Sequence, residues 1–229
     1  MRIGLVGLNL PEGKVKYQDP RLLELEKKLA PKKTHPLFVE FIKEGFESAD
    51  IIACLKEKVL DILILDMEKL EKRLQASGDD FERTLLKRCI SSLEKEKPVC
   101  DMELSEKELG LLVNIAPLSL KPMVITAEDM DADECIKKCL EKSGTLFFYT
   151  AARGELKSWP LKKGTDILTA ASKIHSDLAR GFIKAEVVNF KDFLTAHNLN
   201  EARSKGLVKV VDKSYPVEDG DIVEVKFNV

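Results

Sequence analysis

The first fifteen residues constrain this chain more than any other stretch. Arg2-Ile3-Gly4-Leu5-Val6-Gly7 reads as a short buried strand running into a glycine turn, the usual opening of an α/β layer. A phosphate-cradling loop built on such a turn needs a glycine, four residues, and then Gly-Lys-Ser/Thr. The glycines free backbone N–H groups for the phosphates, the lysine meets the terminal phosphates, and the hydroxyl holds Mg²⁺. Here Gly7-Leu8-Asn9-Leu10-Pro11-Glu12-Gly13-Lys14-Val15 places five residues between the glycines, a carboxylate at Glu12 and an aliphatic side chain at Val15. Turnover of a Mg-nucleotide is not expected of this loop. Lys14 is a phosphate lysine only if the loop refolds; the plainer reading is a solvated lysine in a surface turn.

Bulk properties narrow the field further. The 229 residues carry a formal net charge of −2, so no global attraction to nucleic acid or anionic lipid is expected and any basic surface must be local. No apolar run approaches the roughly 18 residues of a membrane span. The N-terminus lacks the apolar core and cleavage site of a signal peptide, which leads to the expectation of a cytoplasmic protein. The five cysteines, Cys54, Cys89, Cys100, Cys135 and Cys139, are odd in number and scattered, as reduced structural thiols are. Cys135 and Cys139 lie one helical turn apart, far in sequence from His35, His175 and His197. No metal site and no cofactor are assigned.

The hydrophobic pattern changes along the chain. Residues 1–58 read as fragments of an α/β layer, with a helix capped by Asp19, begun at Pro20 and carrying Leu22, Leu25 and Leu29 at helical spacing. Leu37–Ile42 and Ala49–Leu55 are further strand candidates. From about 59 to 97, Leu60, Leu63, Met67, Leu70 and Leu74, then Phe81, Leu85, Cys89 and Leu93, form two apolar stripes around a turn at Ser77-Gly78-Asp79. They predict an antiparallel helical hairpin of coiled-coil type that projects roughly 20–25 Å at about 1.5 Å per residue. Ser105 and Glu108 form a capping box, Pro122–Ala127 is a strand, and Asp131 to Lys142 is a helix. After Gly144 short strands dominate around one helix, Asp166 to Leu178. A domain boundary near Gly144 is expected, giving 1–144 and 145–229.

Four blocks in the second half carry a specific resemblance: Trp159-Pro160-Leu161-Lys162-Lys163-Gly164-Thr165, Ala170–Asp177, Arg180–Val187 and Val217–Ile222. Together they resemble a TGS domain, a β-grasp fold, of the kind found in the YchF/Obg-like ATPase family. Upstream, Asp19-Pro20-Arg21-Leu22, Val39-Glu40-Phe41, Ser48–Ile52, Asp61–Glu71 and Leu118–Met123 resemble fragments of the same family. The resemblance implies a reduced P-loop-like α/β domain with an inserted helical hairpin, followed by a β-grasp TGS domain. It breaks at the catalytic parts. The family's Asp-x-x-Gly segment is absent where Phe41-Ile42-Lys43-Glu44-Gly45 passes almost directly to the next strand. Of its Asn-x-x-Glu motif only Glu128 remains.

The expected function is that of a non-hydrolysing binding or regulatory protein linked to RNA or the ribosome, with a nucleotide-binding protein, a weak NTPase or a small-ligand sensor as alternatives. Gly7, Gly13, Lys14 and Glu128 are the remnants of a nucleotide site. Arg153, Lys157, Trp159, Lys162, Lys163, His175, Arg180 and Lys184 are the candidate RNA- or partner-binding set, and the hairpin tip is a candidate protein contact. Each has a plainer alternative. Trp159 serves equally as a core anchor, His175 with Asp177 as helix-end hydrogen bonding, and the basic residues are interleaved with Glu155, Asp166, Asp177 and Glu186.

Overall fold

A computed structural model describes residues 1–228. In chain order its first elements are β1 (Arg2–Val6), β2 (Gly13–Lys16), α1 (Pro20–Leu29), β3 (Lys33–His35), β4 (Phe38–Ile42), β5 (Ile51–Leu55), α2 (Val59–Ala76), α3 (Asp80–Leu93), α4 (Glu106–Ile115), β6 (Met123–Thr126) and α5 (Ala132–Lys142). They are followed by β7 (Thr145–Ala152), β8 (Glu155–Lys162), α6 (Ile167–Ile174), α7 (Ser176–Arg180), β9 (Phe182–Asn189), α8 (Phe190–Leu194), α9 (Leu199–Ser204), β10 (Lys209–Val211) and β11 (Asp221–Phe227). The chain divides into two compact units. One joins Met1–Val15 to Val39–Ser143, and the other joins Lys16–Phe38 to the stretch from Gly144 onward. The sequence reading placed 16–38 in the first domain. That assignment does not hold, because the segment's buried face is complementary to the second sheet.

In the first unit the strands run β2-β4-β1-β5-β6, with β4, β1, β5 and β6 parallel. Parallel neighbours normally need a crossover of a dozen residues or more. Here β4 reaches β5 through residues 43–50 alone. Gly4 makes room for this short crossover, since a Cβ there would lie 2.9 Å from the Phe46 ring. The α2–α3 hairpin forms, but it does not stand free. Its core runs on into the sheet, joining Leu63, Leu70, Leu85, Leu86, Cys89 and Leu93 to Ile52, Cys54 and Met123. The inner face of α2 is therefore rotated from the expected stripe. Val59, Ile62, Leu63, Asp66 and Leu70 are buried, while Leu60 is 45% exposed. Asp66 is buried, and two backbone N–H groups, of Leu118 and Ser119, donate to it at 2.7 and 2.6 Å in place of an ion pair among the described residues.

In the second unit the strand order is β10-β9-β11-β7-β8-β3. One face packs on α6 through Leu146, Phe148, Leu161, Ile167, Ala170, Ala185 and Val187. The segment Lys16–Phe38 supplies α1 and adds β3 parallel to β8 at the sheet edge. Asp19 caps α1 by accepting from the Arg21 N–H, and Leu22 and Leu25 face inward. Burying two leucines is worth roughly 1.5–3 kcal/mol each, one part of what offsets the entropy of ordering the segment. The helix read from Asp166 to Leu178 breaks at His175, whose backbone is extended and whose side chain caps α7. The short helices α8 and α9, capped by Asn189 and Asn198, escaped the sequence reading.

Candidate functional site

The parallel strands β1, β5 and β6 end on the same side of the first sheet, where ligands of open α/β layers bind. Gly7 lies at φ +80, and a Cβ there would sit 2.8 Å from Lys58 Cγ and 3.2 Å from Leu55 Cβ. The glycine thus serves close packing against the end of β5. Leu8 and Leu10 then turn inward and are buried. The chain next enters β2, an edge strand, so no helix follows the loop and no helix dipole points at a would-be anion. Gly13 and Lys14 belong to β2, two strands away from β1, and Lys14 is an exposed strand residue. Gly7 and the pair Gly13–Lys14, read as remnants of a nucleotide site, thus stand at the end of β1 and on β2, and the exposed Lys14 matches the plainer reading of a solvated surface lysine.

One amide of this loop does meet an anion, and it is the protein's own. The Asn9 N–H donates to Asp129 Oδ1 at 3.0 Å. The neighbouring Glu128 is exposed, and its backbone is held by the Thr126 hydroxyl. The loops 7–12, 56–58 and 127–131 carry Glu12, Glu57, Glu128, Asp129 and Asp131 against Lys56 and Lys58. Lys58 is already 3.7 Å from Asp61. Asp129 and Asp131 accept from the backbone N–H groups of Asn9 and Glu134, and the carboxylates of these loops outnumber the lysines.

The cysteines are buried or half-buried. Burial pushes Cys54, Cys89 and Cys100 up to about 11. Cys135 and Cys139 share a thiol hydrogen bond on the inner face of α5. It lowers the Cys135 pKa and, with burial, raises that of Cys139. Among the described residues no group of three His, Cys, Asp or Glu side chains is placed to hold a metal ion. No helix among them is long and apolar enough to cross a membrane.

The second sheet carries a polar latch, buried at Tyr149 and Asp19 and open to solvent at Asp219. The Tyr149 hydroxyl donates to Asp19 Oδ2, and Arg21 makes two hydrogen bonds to Asp219 at 2.8 and 3.0 Å. Burial, then the Asp19 charge, drives the Tyr149 pKa far up. Burial works against the Arg21 charge, but the Asp219 bonds and the surrounding negative charge hold it above the usual guanidinium range. These contacts fasten the Lys16–Phe38 segment to residues 130 and 198 positions away in sequence.

The basic candidates do not form one patch. Arg153 sits at the β7–β8 turn and Lys162 and Lys163 at the far end of β8, an eight-residue strand roughly 25 Å long. His175 accepts from the Asp177 N–H, and Arg180 pairs with Asp177 at 2.9 Å, so both are locally engaged. Lys184 lies on β9, opposite Lys226 and three strands from β8. What the fold does bring together is Arg153, Lys157 and Trp159 with Lys32 and Lys33, which the sequence reading missed. Trp159 packs against the α6-side core, its Nε1–H donates to the Thr150 hydroxyl at 2.9 Å, and Lys157 Nζ lies 3.8 Å from the ring centroid. The Lys-Lys pair was visible in sequence, but nothing there connected it to residue 157.

Comparison with known proteins bears on both units. Residues 146–228 match the family model YchF-GTPase_C, described as a protein of unknown function (DUF933). The chain is 25% identical over 237 residues to the ribosome-binding ATPase YchF of Bacillus subtilis (strain 168), an alignment that takes in 74% of this chain and 65% of that one. It is 44% identical over 82 residues to Obg-like ATPase 1 of Danio rerio, taking in 36% of this chain and 21% of that one. The alignments thus span less than two thirds of the length of either relative. The YchF GTPase of Schizosaccharomyces pombe has the same fold, with a TM-score of 0.76 at 17% identity over 99% of this chain and 97% of that chain.

Proposed function

The chain is a relative of the YchF/Obg-like ATPases, and from that premise we propose that it is a ribosome-linked binding or regulatory protein that does not hydrolyse nucleotide. The observation that carries the second half is the Asn9–Asp129 hydrogen bond in a loop that runs on into a strand. Phosphoryl transfer relies on positioned amides, a lysine, a metal and a helix terminus. In this loop the amide is taken by a carboxylate, the lysine is on an edge strand, and no helix begins. The ribosome link is carried over from a relative named for ribosome binding. In this reading the second unit is a TGS-type β-grasp module that faces RNA. The α2–α3 hairpin is the family's coiled-coil insertion, with its tip open to a protein partner, and the protein works in the cytoplasm. Gly7, Gly13, Lys14 and Glu128 are then vestiges of a nucleotide site.

Two measurements test this. Incubation with Mg-ATP and Mg-GTP should release no phosphate above a protein-free control, and sedimentation with purified ribosomes should carry the chain into the pellet at low salt. Turnover abolished by Lys14→Ala, or a chain left wholly in the supernatant, would refute the corresponding half.

A further inference from the structure

We propose that the β3/β8 edge of the second sheet is a phosphate-binding tray for single-stranded RNA, and that the Lys16–Phe38 segment supplies half of its charge. The choice of RNA rests on the ribosome-linked reading above. The register sets the tray out. In the parallel β3–β8 pair Lys33 stands opposite Glu155 and His35 opposite Lys157. Side chains two apart share a face, so Lys33 and Lys157 lie on one surface, roughly 8 Å apart from the strand spacing of about 4.8 Å and the rise of about 3.3 Å per residue.

The turn beside them adds a third cation in an unusual way. Arg153 and Gly154 have φ of +53 and +79, the two-residue connection that normally takes Asn, Asp or Gly first. An arginine held in this region costs about 1–2 kcal/mol, so its side chain is the feature to explain. The amides of Lys32 and Lys33 both donate to the Gly154 carbonyl, at 2.8 and 3.3 Å, which pins the two lysines beside it. Lys157 is placed in advance by Trp159, whose ring also stacks on Phe148 and whose N–H is held by Thr150. That placement reduces the entropy lost on contact.

Four cations, Lys32, Lys33, Arg153 and Lys157, thus gather around Glu155, which lies 3.4 Å from His35 Nε2, while the nearby Glu26 is engaged by the Thr34 hydroxyl at 2.7 Å. This is a local concentration in a chain of net charge −2. The Trp159 ring is already engaged by Lys157 and Phe148, so the tray is taken to read backbone charge and not bases. None of its exposed side chains is a large apolar one that would anchor in lipid. A flexible polyanion fits this flat row of cations.

The test is fluorescence anisotropy of the full chain with a labelled mixed-sequence 20-nucleotide single-stranded RNA, titrated with salt. About four phosphate contacts should give a slope of log affinity against log salt near −3. Lys33→Ala, Arg153→Gly and Lys157→Ala should each weaken binding about threefold to tenfold and flatten the slope by about 0.7. Lys209→Glu, on β10 at the opposite edge of the sheet, should leave it unchanged. Thermal melts confirm that each variant is folded. Undiminished RNA binding and ribosome sedimentation by the tray variants would overturn the tray and leave the ribosome-linked reading standing. RNA binding that the tray variants weaken, without ribosome sedimentation, would uphold the tray and refute that reading. No RNA binding at 50 mM salt, or tighter tray-dependent binding to vesicles containing phosphatidylserine, would overturn the RNA assignment itself.

Discussion

The turn at Gly7 and the turn at Arg153-Gly154 both close a strand with a residue at positive φ, yet they do opposite things with it. At Gly7 the freedom of glycine lets the chain fold onto Leu55 and Lys58, bury Leu8 and Leu10, and hand an amide to Asp129. At Arg153 the same backbone region holds a cation outward among lysines. The first turn has become packing and the second a surface. An anion site needs spare donors facing solvent. A loop that spends its Asn9 donor on a carboxylate of its own chain has one fewer to offer there, whereas side chains at an exposed hairpin tip remain available.

Four substitutions test this contrast, and the single tryptophan helps, because Trp159 reports on the second unit alone. The largest effect should come from Leu25→Ala. This fully buried side chain holds the Lys16–Phe38 segment to its sheet, and its loss should cost about 2–5 kcal/mol in the urea transition followed by Trp159 fluorescence. Gly7→Val should cost about 2–3 kcal/mol from the left-handed backbone and the added Cβ. It should appear in far-ultraviolet circular dichroism while the Trp159 transition stays in place. Equal shifts of the Trp159 signal in both variants would mean that the two units unfold as one, and the contrast would fail.

Tyr149→Phe removes the donor to the buried Asp19 carboxylate and should cost about 1–3 kcal/mol in the same fluorescence transition. The smallest effect belongs to Asp129→Asn. It weakens an exposed contact and should change stability by less than about 1 kcal/mol. Calorimetry should still find no Mg-ATP binding, because no helix follows the loop. Tight Mg-ATP binding by this variant would mean that Asp129 alone had been blocking a usable nucleotide site.

Some of the molecule was legible in the sequence for reasons that are local. The Asp19 and Ser105 caps act within three residues of themselves and are present as read. The misreadings arose where distant groups decide. Leu60 fits a helical stripe, but the sheet beneath α2 rotates the buried face and leaves it in solvent. His175 sits within an unbroken helical pattern, with no Gly or Pro to announce the break its side chain makes by capping α7. Lys32 and Lys33 drew no reading of their own, because nothing near them in the chain points to β8.

By itself the sequence supplied the chemistry of the opening loop, a carboxylate at Glu12 and an aliphatic side chain at Val15, on which the proposal of no nucleotide turnover rests. It also determined the caps and the strand-rich character of the second half. Only the tertiary structure decided that Gly13 and Lys14 lie on an edge strand, that Asp129 takes the Asn9 amide, and that Lys16–Phe38 folds with the second sheet. The reason is one of range. Charge and capping act on neighbours in the chain, whereas strand pairing and burial select partners from tens to more than a hundred residues away, and nothing in a single stretch of sequence names them.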